Sequence, residues 1–327
     1  MSILAVLEQR AGAWNKMSFE TLAAAQQFAQ QLGATASAAV MGQAVGVLAA
    51  ELASKQLEKV YAVEHDLLKD YTPDAYTVAL RQLIGQVKPS VALFPHTYQV
   101  RDFLPKLATA LGRVAVSDAV SHRVENGQLV LVRQLFQGKV NVDVRFAGEA
   151  PHFASLQAGA WRADQVAAGS APIEKFAPQI SAGDVRTKPL DLFRESQRAV
   201  DLGAAEIIVS VGRGIKEQKS IELAKQLAEA LGGELAASRP ICDSGWLPMD
   251  RQIGSSGQTV APKLYLALGI SGAIQHIVGM KGSRTIIAIN KDSEAPIFEI
   301  ADYAVVGNLF DIVPPLIEEV KKAKAGS

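Results

Sequence analysis

Short apolar runs alternate with amphipathic helical stretches along the first half of the chain. Ile3–Leu7 predicts a strand, and Phe19–Leu32 predicts a helix that ends at Gly33. Further strand-length runs, each followed by a stretch of helical spacing, are Ala36–Met41, Val60–Val63 and Val91–Pro95. Alternation of this kind predicts a parallel sheet covered by helices on both faces.

The pattern changes after this alternation. Leu129–Phe136, Val140–Phe146 and His152–Leu156 are separated by turns, which predicts antiparallel strands that extend the sheet. From residue 171 to residue 200 prolines and a glycine interrupt the chain, and no periodicity is clear. This stretch is therefore predicted to be a linker or a wrap-around segment.

A second alternation of strands and helices follows. Its predicted strands are Ile207–Val211, Leu264–Leu268, Thr285–Ile289 and Tyr303–Val306. Its predicted helices are Ile221–Leu231, which ends at Gly232-Gly233, a short helix from Ser271, and Ile312–Lys322. Such a doubly wound unit binds nucleotides beyond the carboxyl ends of its strands. The predicted fold class is therefore α/β with two domains, residues 1–190 and 201–327, each built on a mostly parallel sheet flanked by helices.

Charge and composition argue against several classes of protein. The chain has 33 basic and 33 acidic residues, and this balance argues against nucleic acid or an anionic membrane as its main partner. No run approaches the roughly 20 apolar residues that span a bilayer, and the amino terminus lacks a basic leader, so we expect a cytoplasmic protein that does not span a membrane. The single cysteine, Cys242, excludes a disulfide within the chain and is expected to be a buried small hydrophobe.

Four polar segments of the second domain follow strands or open helices. In the first, Gly212-Arg213-Gly214, the glycines would let the backbone approach a ligand, and the Arg213 guanidinium suits phosphate. A tight turn with a solvated arginine explains this segment at least as well. The second combines Ser238-Arg239-Pro240 with the Gly/Ser loop Gln252–Gly257 and could bind a pyrophosphate or a ring edge. A plain flexible connection is an equal alternative for that loop.

The third segment is Gly269–His276. Ser271 is expected to cap a helix whose free amides and dipole would form an anion site. A hydrolase nucleophile elbow is rejected, because it needs glycine where Ala273 stands and because His276 lies on the same helix as the serine. A lone histidine on an apolar helix is more often a structural residue than a functional one.

The fourth segment comprises Asn290 and Gly307-Asn308-Leu309. These positions suit hydrogen bonds to a ribose or an adenine, although ordinary turns would also contain such residues. Outside the four segments, the remaining histidines lack the spacing of a zinc site. Binding loops without a nucleophile or a metal favour a redox carrier. A self-sufficient NAD- or FAD-dependent oxidoreductase and a non-redox nucleotide-binding regulator remain alternatives.

The second domain resembles the α subunit of electron-transfer flavoproteins. The resemblance is carried by residues 260–310, which read VAPKLYLALGISGAIQHIVGMKGSRTIIAINKDSEAPIFEIADYAVVGNLF, together with VGRG and SR upstream. It implies that FAD lies extended across the second domain, while the first domain serves as scaffold and as the surface that binds the β subunit. It also implies that the β subunit covers the flavin end and holds AMP, or a second FAD in bifurcating complexes.

Carried over residue by residue, the resemblance implies a set of FAD contacts. The pyrophosphate and ribityl region would be held by Ser238, Ser271 and the amides around Gly272, the adenosine half by Asn290 and Asn308, and the isoalloxazine ring by Arg239, Ser256 and His276. The other implied contacts are Arg213, Ile253, Gly254, Ser255, Ala273, Ile274, Gln275 and Leu309. The chain departs from many members at Ser255-Ser256, where they have Gln-Thr, and at Asn308, where they have Asp.

The function implied by the resemblance is electron transfer without substrate turnover. The donors would be flavin dehydrogenases such as acyl-CoA dehydrogenases, and the acceptor would be a membrane quinone oxidoreductase. The alternative is a subunit of an electron-bifurcating flavoprotein complex that uses NADH.

Overall fold

The chain folds into two compact α/β units. The computed structural model describes residues 1–136, 138–190 and 202–325. The first unit contains residues 1–135 and 141–190, and the second contains residue 136, residues 138–140 and residues 202–325. The predicted boundary between residues 190 and 201 falls outside the described residues, so the two domain limits stay predictions.

The first unit is built on a sheet of nine strands with helices on both faces. Its strands are β1 Ser2–Leu7, β2 Gln9–Arg10, β3 Ala13–Trp14, β4 Thr35–Gly42, β5 Lys59–Glu64, β6 Val91–Pro95, β7 Ala115–Glu125, β8 Gln128–Leu135, β9 Val140–Arg145, β10 His152–Leu156 and β11 Ile173–Phe176, of which β2 and β3 form a separate antiparallel pair. Its helices are α1 Met17–Leu32, α2 Gly46–Ala53, α3 Pro73–Val87 and α4 Tyr98–Ala110. The sheet order is β11-β5-β4-β1-β6-β10-β7-β8-β9.

The apolar runs of this unit are continuous because their strands are buried on both faces. In β1, Ile3 and Ala5 pack into one hydrophobic layer, while Leu4 and Val6 pack into the other. Neighbouring β4 and β6 pair with β1 in parallel. The parallel sheet predicted from the first half of the chain is therefore confirmed.

Two predictions for the strands after residue 114 are corrected. β10 was expected to be antiparallel, but it lies between β6 and β7 and pairs with both in parallel. Its last four residues are buried, as a central strand requires, so the flanking turns were a misleading signal. β7 was not predicted, because polar residues interrupt it and Asp118, with a φ of 61°, opens a bulge in its pairing.

The stretch predicted to be a linker or a wrap-around segment contains a strand. β11 pairs in parallel with β5 at the edge of the sheet. Pro172 and Pro178 flank β11, and an edge strand tolerates prolines that a central strand would exclude. The prolines therefore concealed a strand from the sequence pattern.

The second unit is a doubly wound sheet in which all described strand pairs are parallel. Its strands are β12 Ile207–Val211, β13 Glu234–Ser238, β14 Gln252–Ile253, β15 Leu264–Leu268, β16 Ile286–Asn290 and β17 Tyr303–Val306. Its helices are α5 Ile221–Leu231, α6 Arg239–Asp243, α7 Ile274–Ile277 and α8 Leu309–Ala325. The sheet order is β14-β13-β12-β15-β16-β17, so the winding direction reverses between β12 and β15. Ligands of such sheets bind beyond the carboxyl ends of the strands, at this reversal.

In the second unit β12, β15, β17 and α5 have their predicted limits, β16 lies one residue later than predicted, and the predictions for two helices are corrected. Ser271 does not open a helix: α7 begins at Ile274, is capped by Ala273 and has only four residues. Such a helix is too short to provide the expected dipole for an anion. The last helix begins three residues earlier than predicted, at Leu309. Cys242 is buried in the core, as expected, and no helix in the described ranges has the length and apolar character for crossing a membrane.

Candidate cofactor site

Every residue singled out in the second domain lies at or just after the carboxyl end of a strand. Because the strands are parallel, these ends share one edge of the sheet. In sheet order the residues are Ile253, Gly254, Ser255 and Ser256 after β14, Ser238 and Arg239 after β13, Arg213 after β12, Ser271 to His276 after β15, Asn290 at the end of β16, and Asn308 and Leu309 after β17. We refer to this edge as the second-unit edge.

Glycines at the reversal allow two loops to pack backbone against backbone. A Cβ on Gly212 would lie 2.4 Å from the Gly269 carbonyl oxygen, and a Cβ on Gly214 would lie 2.6 Å from the Gly269 Cα atom. The Gly214 amide donates to the Gly269 carbonyl over 3.0 Å. The sequence interpretation, in which the glycines make room for a ligand, missed this contact between neighbouring loops.

The loop after β14 is fixed against α7. The Ser255 amide donates to the Gln275 carbonyl over 2.7 Å. Gly254 has a φ of 141°, and a Cβ there would lie 2.8 Å from the same carbonyl oxygen. This contact brings Ser255 and Ser256 close to Gln275 and His276 while both serine side chains stay exposed. The Ser256 hydroxyl accepts a hydrogen bond from Gln252 Nε2 over 3.0 Å.

Asn290 ties two loops of the edge together. Its Nδ2 donates to the Ile270 carbonyl over 2.9 Å, and its Oδ1 accepts from the Asp292 amide over 3.1 Å. Gly272, with a φ of 87°, packs so closely on the Ile297 backbone that a Cβ would lie 2.2 Å from the Ile297 nitrogen. Asn290 and Gly272 therefore shape the loop that contains Ser271.

Asn308 directly precedes α8, and its side chain forms hydrogen bonds with residues in the first turn of that helix. Its Oδ1 accepts from the Phe310 amide over 3.3 Å, and its Nδ2 donates to Asp311 Oδ2 over 3.0 Å. Leu309 is the first residue of α8 and is buried. The side chains of Asn308 and Asn290 thus already bond within the chain, and each keeps only part of its hydrogen-bonding capacity for a ligand.

The two arginines of the second-unit edge project into solvent. Arg239 is 65% exposed, and its Nε donates to Asp243 Oδ2 over 3.2 Å within α6. Arg213 is exposed, and no ion pair is recorded for it among the described residues. Ser238 is buried at the end of β13 and does not cap α6 through its side chain. The edge therefore presents two guanidinium groups whose donors are largely free for an anion.

His276 is buried, and its imidazole is uncharged at neutral pH. Its Nε2 lies 2.9 Å from the hydroxyl oxygen of Tyr265, which is fully buried in β15. Burial lowers the pKa of His276 to about 4, against a smaller opposing effect of the Ile253 backbone. Its Nδ1 is buried without a partner of hydrogen-bonding geometry in the described chain. His276 can therefore supply an N–H donor but not a positive charge at neutral pH.

Two polar residues near the edge are absent from the predicted contacts, although Gln252 opens the predicted loop Gln252–Gly257. Tyr265 stands in the apolar run LYLAL, where nothing distinguishes a buried phenol from a core side chain. Gln252 opens β14 with 1% of its surface exposed, and its Oε1 makes no hydrogen bond to the described residues. A glutamine at the first residue of a buried strand is the signal that could have identified it, since buried polar groups are normally paired.

Two family models match the chain. The electron transfer flavoprotein domain matches residues 3–181, and the electron transfer flavoprotein FAD-binding domain matches residues 201–281. A relative in Thermoanaerobacterium thermosaccharolyticum, named electron transfer flavoprotein subunit alpha, is 40% identical over 319 residues, which make up 97% of each chain. The chain belongs to the electron transfer flavoprotein α-subunit family.

Other members of the family carry different names. Protein FixB of Clostridium saccharobutylicum is 35% identical and aligns with 96% of this chain and 95% of its own. The acryloyl-CoA reductase electron transfer subunit beta of Anaerotignum propionicum is 36% identical and aligns with 97% of this chain and 95% of its own. The resemblance inferred from residues 260–310 is thus confirmed at the level of the family. All of the singled-out residues except Asn290, Asn308 and Leu309 fall inside the FAD-binding match.

The residues of the second-unit edge fit an elongated dinucleotide such as FAD. The guanidinium groups of Arg213 and Arg239 and the hydroxyl of Ser271 can pair with a pyrophosphate. The unpaired Nδ1 of His276 is buried beside this edge. Family membership and this donor set both support a flavin cofactor.

Proposed function

We propose that the chain is the FAD-binding subunit of a heterodimeric electron carrier and has no substrate turnover of its own. The observation that supports this most strongly is the convergence of all six strand ends of the second unit, with their polar residues, at one edge of the sheet. A catalytic acid or base with a substrate pocket beside this edge would favour a self-sufficient oxidoreductase instead. His276 does not suit that role, because it is buried and neutral.

The residues of the edge divide the binding of FAD between them. Ser238, Ser271 and the amides around Gly272 hold the pyrophosphate and ribityl region, and Arg213 adds a guanidinium. Asn290 and Asn308 face the adenosine half, with Asn290 also fixing the Ile270 carbonyl. Arg239, Ser256 and His276 lie along the isoalloxazine ring, which when bound accepts and returns one or two electrons.

Arg239 sets the electrostatic environment of the ring. A guanidinium near the pyrimidine edge favours the more negative, reduced state of the bound flavin. Arg239 is mostly exposed in the isolated chain, so its effect depends on the partner subunit covering this side. A charge-assisted hydrogen bond shielded in this way contributes about 1.5–3 kcal/mol.

The partner is the β subunit of the same family, which covers the flavin side and holds AMP. The donors are flavin dehydrogenases such as acyl-CoA dehydrogenases, and the acceptor is a membrane quinone oxidoreductase. A bifurcating complex that uses NADH is a second candidate. The relative in Anaerotignum propionicum favours it, since that protein is named as the electron transfer subunit of a particular reductase.

Co-expression of the chain with its β subunit tests this function. We expect a yellow one-to-one heterodimer that contains FAD and is reduced by an acyl-CoA dehydrogenase in the presence of its substrate. One FAD and one AMP per heterodimer support the simple carrier, whereas two FAD and reduction by NADH support the bifurcating complex. A well-folded, colourless monomer with no affinity for a β subunit would contradict both.

A further inference from the structure

A phenol and an imidazole face each other inside the second unit, next to the second-unit edge. The Tyr265 hydroxyl oxygen and His276 Nε2 are 2.9 Å apart, and both side chains are buried. The other imidazole nitrogen, Nδ1, is buried without a hydrogen-bond partner in the part of the chain that the structure describes. The ring is therefore held at Nε2, whereas Nδ1 is enclosed without a partner of hydrogen-bonding geometry, with the Ile253 backbone beside the ring.

The backbone fixes both members of this pair. Tyr265 lies in β15, which pairs with β12 and β16, and its amide donates to the Thr285 carbonyl over 2.9 Å. The His276 amide donates to the Ala273 carbonyl over 2.8 Å, and its carbonyl accepts from the Gly279 amide over 3.0 Å. These bonds fix the backbone of both residues, and the burial of both side chains leaves little room for other rotamers, so the pair is in place before a ligand binds.

Counting donors and acceptors distinguishes the two possible directions of the hydrogen bond. If the phenol donates to Nε2, the neutral imidazole carries its proton on Nδ1, and only that N–H lacks a partner. If Nε2 donates to the phenol, both the phenolic hydrogen and the Nδ1 lone pair lack a partner. The first direction is favoured because unpaired buried polar groups are destabilising.

The Ser210 hydroxyl lies near the phenol of this pair. Ser210 is fully buried in β12 and lies on the same face of the sheet as Tyr265, because it is in register with Ala267 two residues further along β15. Its oxygen has no hydrogen-bond partner within the described residues. A small rotation could bring the Ser210 hydroxyl into hydrogen-bonding distance of the phenol oxygen, and because a hydroxyl both donates and accepts, this contact is compatible with a phenol that donates to Nε2.

We propose that Tyr265 is a positioning residue, whose hydroxyl donates to His276 Nε2 and so holds the neutral imidazole with its proton on Nδ1, as a donor to an acceptor atom of the cofactor. The identity of that acceptor rests on the proposed function, whereas the position of the proton does not. Tyr265 thereby fixes which nitrogen of His276 faces the cofactor as a donor.

The proton on His276 can be located directly by nitrogen NMR. The heterodimer is prepared with ¹⁵N-labelled histidine, and the His276 signals are assigned by their loss in the His276→Gln variant. At neutral pH we expect Nδ1 to be protonated and Nε2 to be unprotonated. A proton on Nε2, or on both nitrogens, would overturn the proposal without any further variant.

The variant Tyr265→Phe tests the positioning role itself. It removes the hydroxyl and keeps the ring, and Tyr76→Phe is the matched control, since it removes a phenol that is 4% exposed in the first unit. In Tyr265→Phe we expect both neutral tautomers of His276. We also expect a three- to tenfold smaller equilibrium constant for the first electron taken up by bound FAD, about 28–59 mV at 59 mV per tenfold change.

Two results would refute the positioning role. One is an unchanged tautomer in Tyr265→Phe, and the other is an equally large shift of potential when Tyr265→Phe is made in the His276→Gln background. A heterodimer that binds no FAD would refute the proposed function and leave the proton measurement intact. A heterodimer that binds FAD but carries the His276 proton on Nε2 would refute only the role of Tyr265.

Discussion

Both units carry polar side chains at the carboxyl ends of parallel strands, but they use them differently. In the first unit these side chains bond to one another. His96 Nδ1 lies 2.8 Å from the Ser155 hydroxyl, and Gln157 Nε2 donates to Asp118 Oδ2 over 3.1 Å. Ser155 has 1% of its surface exposed, so this cluster is closed by its own hydrogen bonds.

The second-unit edge is instead partly open. Arg213 and Ser271 are exposed, and Nδ1 of His276 is buried without a partner in the described chain. Polar residues at strand ends indicate a ligand site only when some of them remain unpaired, because a satisfied cluster gains little by binding a ligand. This difference supports the first unit as scaffold and the second unit as the place of the cofactor.

Among the variants considered, Gly272→Ala is expected to have the largest effect on stability. A Cβ there would lie 2.2 Å from the Ile297 nitrogen at a φ of 87°. We expect the free energy of unfolding of the second unit to fall by about 2–5 kcal/mol, from overpacking and backbone strain together, with loss of FAD. Urea unfolding with absorbance at the flavin band measures both.

The control for Gly272→Ala is Gly85→Ala in α3. A Cβ at Gly85 meets nothing within 4 Å, and alanine is the better helix former. This variant should be unchanged or slightly more stable. Equal stability of the two variants would mean that the loop around Gly272 is not held as tightly as the contact indicates.

The sequence predicted the buried strands of both units better than it predicted how the strands pair or which hydrogen bonds the polar side chains form. β12 and β15 were predicted with their observed limits because most of their residues are apolar and are buried on both faces. β7 was missed because its bulge at Asp118 breaks the pattern. The loops of the candidate site were found from serines, arginines and glycines after strands. The contact between Tyr265 and His276 could not be found, because it depends on tertiary packing across β15 and α7.

The stabilities of the two units are expected to depend on pH in opposite directions, in each case because of one buried titratable group. The pKa of His276 is about 4 in the folded chain, below its ordinary value of 6.5, so the unfolded chain binds more protons between these values. The stability of the second unit should therefore fall by about 3 kcal/mol as pH decreases from 6.5 to 4. His276→Gln should remove this part of the acid dependence.

In the first unit, burial raises the pKa of Glu20 from its ordinary value of 4.5 to about 7, although the Gly159 amide donates to its carboxylate over 2.8 Å. The folded chain then binds more protons between these values, so stability should fall by about 3 kcal/mol as pH rises from 4.5 to 7. Glu20→Gln should remove this loss. Hydrogen exchange followed on peptides of each unit separates the two effects, and a shared sign would contradict the assignment.

Arg239→Ala should change the potential of bound FAD without changing the fold. A shielded guanidinium stabilises the reduced state of the bound flavin by about 1.5–3 kcal/mol. Its loss would therefore lower the first midpoint potential by about 65–130 mV. Arg162→Ala is the control, since Arg162 is 57% exposed and pairs with Asp164 in the first unit. Potentiometry on the heterodimers measures both variants, and an unchanged midpoint in Arg239→Ala would place this arginine away from the ring.

Affinity for FAD tests most directly whether the cofactor lies at the second-unit edge. Equilibrium dialysis of the heterodimer would compare Asn290→Ala and Ser271→Ala with His65→Gln, His96→Gln and His122→Gln in the first unit. We expect the two second-unit variants to weaken binding by about 1–3 kcal/mol each, which is roughly 5- to 150-fold in Kd, and the three histidine variants to bind like the wild type. Loss of FAD from the histidine variants, with wild-type affinity in Asn290→Ala and Ser271→Ala, would place the cofactor in the first unit and contradict the account.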